Sequence, residues 1–313
     1  MIEVEGLTKV YGGSKGAKAL DDVSFTVPEG GIFGFLGPNG AGKTTTIRVL
    51  ATVLSPTAGT IRIGGHDLVD DPMAVKEKLG LMPDEVLFYP TLTGRQHLLY
   101  YASFYGIPRA EAKARATKYL DQFGLADARD KKVKAYSHGM RKRLALAQCL
   151  LHDPEVLIMD EPANGLDPQG MRYFRDLIRF LNKDGKTIFL SSHMLSEVEQ
   201  LCERVGIIDR GRMVAVDSIQ ALSARLSAGA PTVLHVVAAG VTDEMVRALA
   251  AIPGVESAHR TETGVDVTAR AGTDVSSEVS RSLVLAGAQL HGLHQEQRSL
   301  EDLFLTLTKG GAT

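Results

Sequence analysis

Hydrophobic positions recur along this chain with a period that changes several times, and each change marks a change of architecture. From residue 1 to about 65, MIEVEGLTKVY, VSFTVPEGGIFGFLG and GTIRIGG alternate or cluster β-branched and aromatic residues between glycine turn signals, which predicts short strands. From Pro72 to His152 the apolar residues fall three and four apart, as in TGRQHLLYYASFYG and RAEAKARATKYLDQFGL. That spacing predicts an inserted group of helices. The period shortens again at EVLIMDEP, KTIFLSSH and RVGIIDRGRMVAV, and between the first two lies QGMRYFRDLIRFLNKDG, a helix closed by Gly185. Strand, helix, strand in this order implies a parallel sheet covered on both faces.

The pattern changes once more near residue 221. ALSARLSAGAPT is rich in small residues and ends in a proline, which marks 221–231 as a linker between a domain at 1–220 and a smaller one at 232–308. Beyond it, TVLHVVAA, DEMVRALAAI, VESAHRTET, GVDVTARA, SSEVSRSLVLAGA and LHGLHQEQ read as strand, helix, strand, strand, helix, strand, the order of a ferredoxin-like α+β module. The end LEDLFLTLT sets Leu300, Leu303, Phe304 and Leu307 at helical spacing, which predicts a face that packs on its own sheet or on a second copy. His291 and His294, three apart with no cysteine near them, read as surface residues rather than metal ligands.

Composition narrows the class. The 313 residues are 44% hydrophobic and 23% charged with a net charge of −2, an ordinary globular balance that argues against a nucleic-acid coat. Glu3 and Glu5 stand where a signal peptide would be basic and then apolar, and no uncharged apolar run approaches the ~18 residues of a membrane span. A cytoplasmic protein is expected. Cys149 and Cys202 both fall within helical patterns and read as small core residues.

Candidate chemistry begins after the strand GIFGFLG. GPNGAGKTT at 37–45 satisfies G-x-x-x-x-G-K-[ST] in a strand, loop, helix context. Gly37, Gly40 and Gly42 let the backbone around Asn39 curl with its N–H groups inward, Lys43 reaches the β- and γ-phosphates, and Thr44 can hold Mg²⁺. A phosphate site of this kind also needs a carboxylate for the metal and a group to orient water. VLIMDEP offers Asp160 and Glu161 at the end of an apolar strand. TIFLSSH ends on His193, whose imidazole can donate to a γ-phosphate, and YSHGMRKRL at 136–144 reads as a capped helix with Arg141, Lys142 and Arg143 on a solvated basic face.

Taken in order, Tyr11, GPNGAGKTT, YSHGM, LIMDEP, NGLD at 164–167 and SSH at 191–193 resemble the ATP-binding cassette (ABC) family over nearly all of residues 1–220. The resemblance implies a P-loop NTPase with a RecA-like α/β core, an antiparallel β subdomain and a helical signature subdomain at about 81–153. It also implies that Tyr11 stacks on adenine and Thr45 touches the α-phosphate. Glu161 would be the catalytic base and His193 the switch histidine. Ser137 and Gly139 would be signature residues that reach the ATP of a second subunit, and Asp167 would belong to the loop coupling the two sites. A helix N-terminus with a serine hydroxyl is a reasonable second clamp on a triphosphate whose other side the P-loop wraps.

Two stretches depart from the family's pattern. Its usual L-S-G-G-Q is Tyr136, Ser137, His138, Gly139, Met140, and Asp84 stands where glutamine is common. Aspartate can accept from water or hold Mg²⁺ but cannot donate. PDEVLFYPTLTGRQHL, YSHGM and SLEDLFLTLT look most like ATPase subunits of bacterial type 2 export permeases, whose pore is a separate polypeptide. The implied protein is an exporter ATPase, bound to ATP and Mg²⁺, dimerising with itself or a homologous ATPase and held peripherally at the inner face of the membrane by its permease. The alternative, a soluble ABC protein acting on ribosomes, DNA or iron-sulfur assembly, generally carries two cassettes, a coiled coil or basic tracts. This sequence has none of these, and NKDG at 182–185 has the wrong spacing for a guanine-binding motif.

Overall fold

A computed structural model describes residues 1–12, 16–228 and 231–295. The chain divides into two compact units, Met1–Ser218 and Ile219–Thr313. In the first, chain order is β1 (Ile2–Tyr11), β2 (Ala17–Val27), β3 (Ile32–Leu36), α1 (Lys43–Leu50), β4 (Ala58–Ile63), β5 (His66–Asp67), α2 (Pro72–Lys78) and β6 (Leu79–Met82). There follow α3 (Gly94–Phe104), α4 (Arg109–Gln122), α5 (His138–Cys149), β7 (Val156–Met159), α6 (Pro168–Lys183), β8 (Thr187–Ser192), α7 (Leu195–Leu201), β9 (Arg204–Asp209) and β10 (Arg212–Ser218).

These strands form an antiparallel sheet, β2-β1-β4-β5, and a six-stranded sheet, β10-β9-β3-β8-β7-β6, whose strands are parallel except β10. The two sheets share one core. Phe33 and Phe35 lie two residues apart on one face of β3, and register places Phe189 of β8 beside Phe33. Phe25 of β2 meets all three, with ring centroids 5.5, 5.5 and 5.7 Å away. Each such ring pair contributes about 0.5–1.5 kcal/mol beyond its buried area. Ala41 of the loop that leaves β3 and Ile47 of α1 belong to the same core.

The helices α3, α4 and α5 form the expected insert. Thr93 and Gln96 close a reciprocal capping box at the start of α3. Buried His97 of α3 bonds Gln148 of α5 at 2.9 Å, and burial pushes its imidazole below the usual histidine range. α6 ends as expected at Gly185, with the Gly185 and Lys186 amides donating to the Asn182 and Leu181 carbonyls.

Local pattern misplaced three boundaries. Residues Leu79–Met82, inside the stretch expected to be helical, form the edge strand β6 beside β7. Four residues are too few to show a period, and pairing decides them. RVGIIDRGRMVAV is not one strand but a hairpin. Arg210 and Gly211, at φ 46° and 79°, make its two-residue turn and add β10 antiparallel to the sheet. Within 221–231, expected to be a linker, helix α8 runs over Ile219–Ala228, because the small residues there are largely alanine, the best helix former.

The second unit continues with β11 (Thr232–Ala239), α9 (Asp243–Ala250), β12 (Val255–Arg260), β13 (Gly264–Ala269), α10 (Ser276–Leu285) and β14 (Gln289–Gln295). Its sheet, β12-β13-β11-β14, is antiparallel throughout, the ferredoxin-like arrangement. Leu234, Val236, Val265, Val267, Val279 and Leu283 fill its core. His291 and His294 are exposed; Leu300, Leu303, Phe304 and Leu307 lie outside the described residues. Cys149 and Cys202 are buried, and burial pushes the Cys149 thiol up to about 12 and Cys202 higher still, so both behave as inert core residues.

Candidate active site

The loop from β3 to α1 turns inward because Gly42, the residue capping α1, adopts φ 113°, a conformation closed to side chains with a Cβ. Lys43 follows at the first position of α1 and is only 6% exposed. Its ammonium is held by the Gly37 carbonyl at 2.6 Å, the Pro38 carbonyl at 3.3 Å and Glu161 Oε1 at 3.3 Å. Asn39, Gly40, Gly42, Thr44 and Thr45 line a cavity of about 760 Å³ with Lys43, and Asp84, Glu161 and His193 are also in its wall.

At the end of β7 two adjacent carboxylates diverge. Asp160 is buried, and its Oδ1 accepts from the Ser191 hydroxyl at 2.6 Å. The same Ser191 Oγ accepts from the Glu161 amide at 2.9 Å. Glu161 has φ 44°, a left-handed conformation that costs a non-glycine residue about 1–3 kcal/mol and that its surroundings must over-determine. The twist aims Glu161 into the cavity, where Oε2 meets His193 Nδ1 at 2.8 Å. Close by, Glu197 of α7 is pushed above the ordinary carboxylate range by burial, opposed by its bond to the Ser192 hydroxyl, with Glu161 adding like-charge repulsion.

Ser137, Gly139 and Asp167 line a different cavity of about 510 Å³. Ser137 caps α5 by accepting from the Met140 amide, and Asp167 caps α6 by accepting from Gly170 at 2.7 Å. Tyr11, Gly37 and Asp160 line neither cavity. Tyr11 is exposed at the end of β1 with the Lys9 ammonium 5.5 Å from its ring centroid. One chain thus carries a glycine loop facing the Glu161 carboxylate at one cavity and a capped helix start at another.

Comparison with known proteins gives the family. The ABC transporter family profile matches residues 20–164. Over 310 residues the chain is 34% identical to the linearmycin resistance ATP-binding protein LnrL of Bacillus subtilis (strain 168), covering 98% of both chains. The chain belongs to the ABC transporter family. It is the ATP-binding, ATP-hydrolysing subunit of this family. It is also 37% identical over 312 residues to the daunorubicin/doxorubicin resistance ATP-binding protein DrrA of Streptomyces peucetius, covering 98% of this chain and 92% of that one. Among solved structures it is similar to the dimeric post-hydrolysis state of the ATP-binding cassette MJ0796 bound to ADP and Pi. That match has TM-score 0.63 and 25% identity, over 70% of this chain and 99% of that one. Among the described residues of this ABC ATPase, no helix is long and apolar enough to cross a membrane.

Two participants escaped sequence reasoning. Ser191 stands in the quoted SSH, but nothing in the pattern shows its hydroxyl between Asp160 and the Glu161 amide. Lys142, expected on a solvated basic face, is 6% exposed and pairs with Asp84 at 3.6 Å. Its neighbours are bonded too: Arg141 donates to the Tyr136 carbonyl, and Arg143 to the Phe123 carbonyl while lying over the Tyr173 ring.

Proposed function

We propose that this chain is the motor of a bacterial exporter: two ATPase subunits close around two MgATP and drive a separate membrane permease that expels antibiotic-like compounds. The observation that carries the reading is the separation of the two half-sites. Lys43 and Glu161 face one cavity and Ser137 the other, so a nucleotide gripped by both comes from two chains. Two relatives that align over nearly the whole chain are named for drug resistance, which supports export and this class of cargo.

In this reading Lys43 leaves its carbonyl partners for the β- and γ-phosphates, Thr45 meets the α-phosphate and Tyr11 offers its ring to adenine. Glu161 accepts the proton of the attacking water, and His193 holds Oε2 of that carboxylate so that Oε1 faces the phosphate side. Ser137, Gly139 and the start of α5 clamp the partner's γ-phosphate, with Asp167 at the seam. The Thr44 hydroxyl and the Asp160 and Asp84 carboxylates are hard oxygen donors suited to Mg²⁺. Among the described residues no group of three or more His, Cys, Asp or Glu forms a metal cage, which fits an ion held partly by substrate phosphates. When bound, Mg²⁺ neutralises charge developing on the phosphates.

The complex is expected to copurify from membranes with a multi-span polypeptide. Recovery of this chain only from the soluble fraction, in cells that express its neighbouring genes, would sink the transport reading. The nucleotide-binding domain is proposed to lie in 1–220 and an accessory module in 232–308 that serves assembly or regulation. A chain stopped near Ser227 is therefore expected to bind MgATP normally while dimer stability or permease coupling changes. Nucleotide titration of the folded, shortened protein checks this, and lost ATP binding would place part of the site in the module.

A further inference from the structure

Helix α5 touches the catalytic segment of its own chain at two points, and both contacts come from one helix face. His138 and Lys142 are four residues apart, hence stacked on that face. His138 Nε2 lies 3.2 Å from the Asn164 carbonyl, so this nitrogen carries the proton and donates. Lys142 Nζ lies 3.4 Å from the Glu161 carbonyl and 3.2 Å from the Asp84 carbonyl, and 3.6 Å from Asp84 Oδ1. An ammonium has three donors, and a buried one is tolerated only where they are matched. Here two carbonyls accept from it, and the Asp84 carboxylate pairs with its charge.

The Glu161 carbonyl is well placed to matter. It accepts from the Asn164 amide at 3.1 Å as well as from Lys142, so both of its lone pairs serve the turn Glu161–Asn164. Glu161 holds its left-handed φ because the peptide on one side is pinned by Ser191 Oγ and that on the other by Lys142. The direction of its carboxylate therefore depends on where α5 lies.

We infer that His138 and Lys142 are positioning residues that strap the start of α5 to the Glu161–Asn164 turn, so that seating α5 on a partner's phosphate is felt at the chain's own water-orienting carboxylate. The transmission between subunits rests on the composite site proposed above; the strap itself lies within one chain. His138 stands where the family's usual motif has glycine, which has no side chain to make the outer contact. Asp84 stands where that pattern has glutamine, and its charge meets the ammonium of the inner one.

The test uses the full chain with Lys142→Met, which keeps the buried stem and removes the ammonium, with His138→Gly, and with both. Hydrogen exchange of the nucleotide-free protein should speed up at the Asn164 and Leu166 amides by about tenfold in the double variant, with β1 and β2 unchanged. Turnover at saturating MgATP should fall by about tenfold or more while affinity for a fluorescent ATP analogue stays within about twofold, and Lys142→Arg should recover part of the rate. Unchanged exchange at Asn164, or a double variant turning over within about twofold of the parent, would overturn the strap. Parallel loss of rate and nucleotide affinity would also overturn it, since that marks collapse of the chain's own phosphate site. If Lys142→Met does not fold, the exposed His138→Gly carries the same comparison. Failure of Glu161→Gln alone to dimerise on ATP would remove the composite reading, while the exchange result still decides the strap.

Discussion

Glu161→Gln is expected to keep ATP bound and to lose most turnover, by roughly 10²–10⁴-fold, the usual contribution of a positioned general base. The amide fills the same space and can still bond His193, but it cannot take a proton from water. Binding survives because the phosphate cradle is built by Gly42, Lys43 and the loop around them, and the substitution reaches it only at the Lys43 ammonium. Lys43 loses only one of its three oxygen contacts, and the Gly37 and Pro38 carbonyls remain. With hydrolysis blocked and binding intact, ATP-dependent dimers should accumulate. Turnover and sedimentation measured on the same preparation decide the matter, and near-normal hydrolysis would remove Glu161 from the role of base.

Mixing two inactive variants is expected to restore hydrolysis. Lys43→Ala removes the phosphate-loop cation and Ser137→Arg blocks the clamp, so each homodimer has two damaged composite sites. In a heterodimer of the two, both lesions fall in one site and the other is intact, so an equal mixture holds about a quarter of its sites whole. The separate cavities of Lys43 and Ser137 are what make this arithmetic possible. If both lesions belonged to a site within one chain, no mixture would recover. Subunit exchange is demonstrated first with labelled protein, and absence of recovery despite exchange would count against a shared site.

Much of this protein is written locally. A glycine loop between an apolar strand and a helix start needs only backbone geometry and a few side chains in sequence, so GPNGAGKTT announces a phosphate cradle by itself. The same holds for the apolar strand that leads into Asp160 and Glu161, the cap at Ser137, the end of α6 at Gly185 and the alternating order of the ferredoxin-like module. Each is a short-range rule of period, cap or turn. Tertiary structure decided what those rules do not reach. Leu79–Met82 became a strand only because β7 offered it an edge. Ser191 was one of two like serines until β8 lay beside β7 and set its hydroxyl between Asp160 and the Glu161 amide. Lys142 looked like one cation in a solvated run until α5 packed over Asp84 and Glu161, where burial made its charge a demand for oxygen partners. Hydrogen bonds and ion pairs between residues far apart in the chain have no period to reveal them, and only the packing that brings the partners together specifies which side chain meets which.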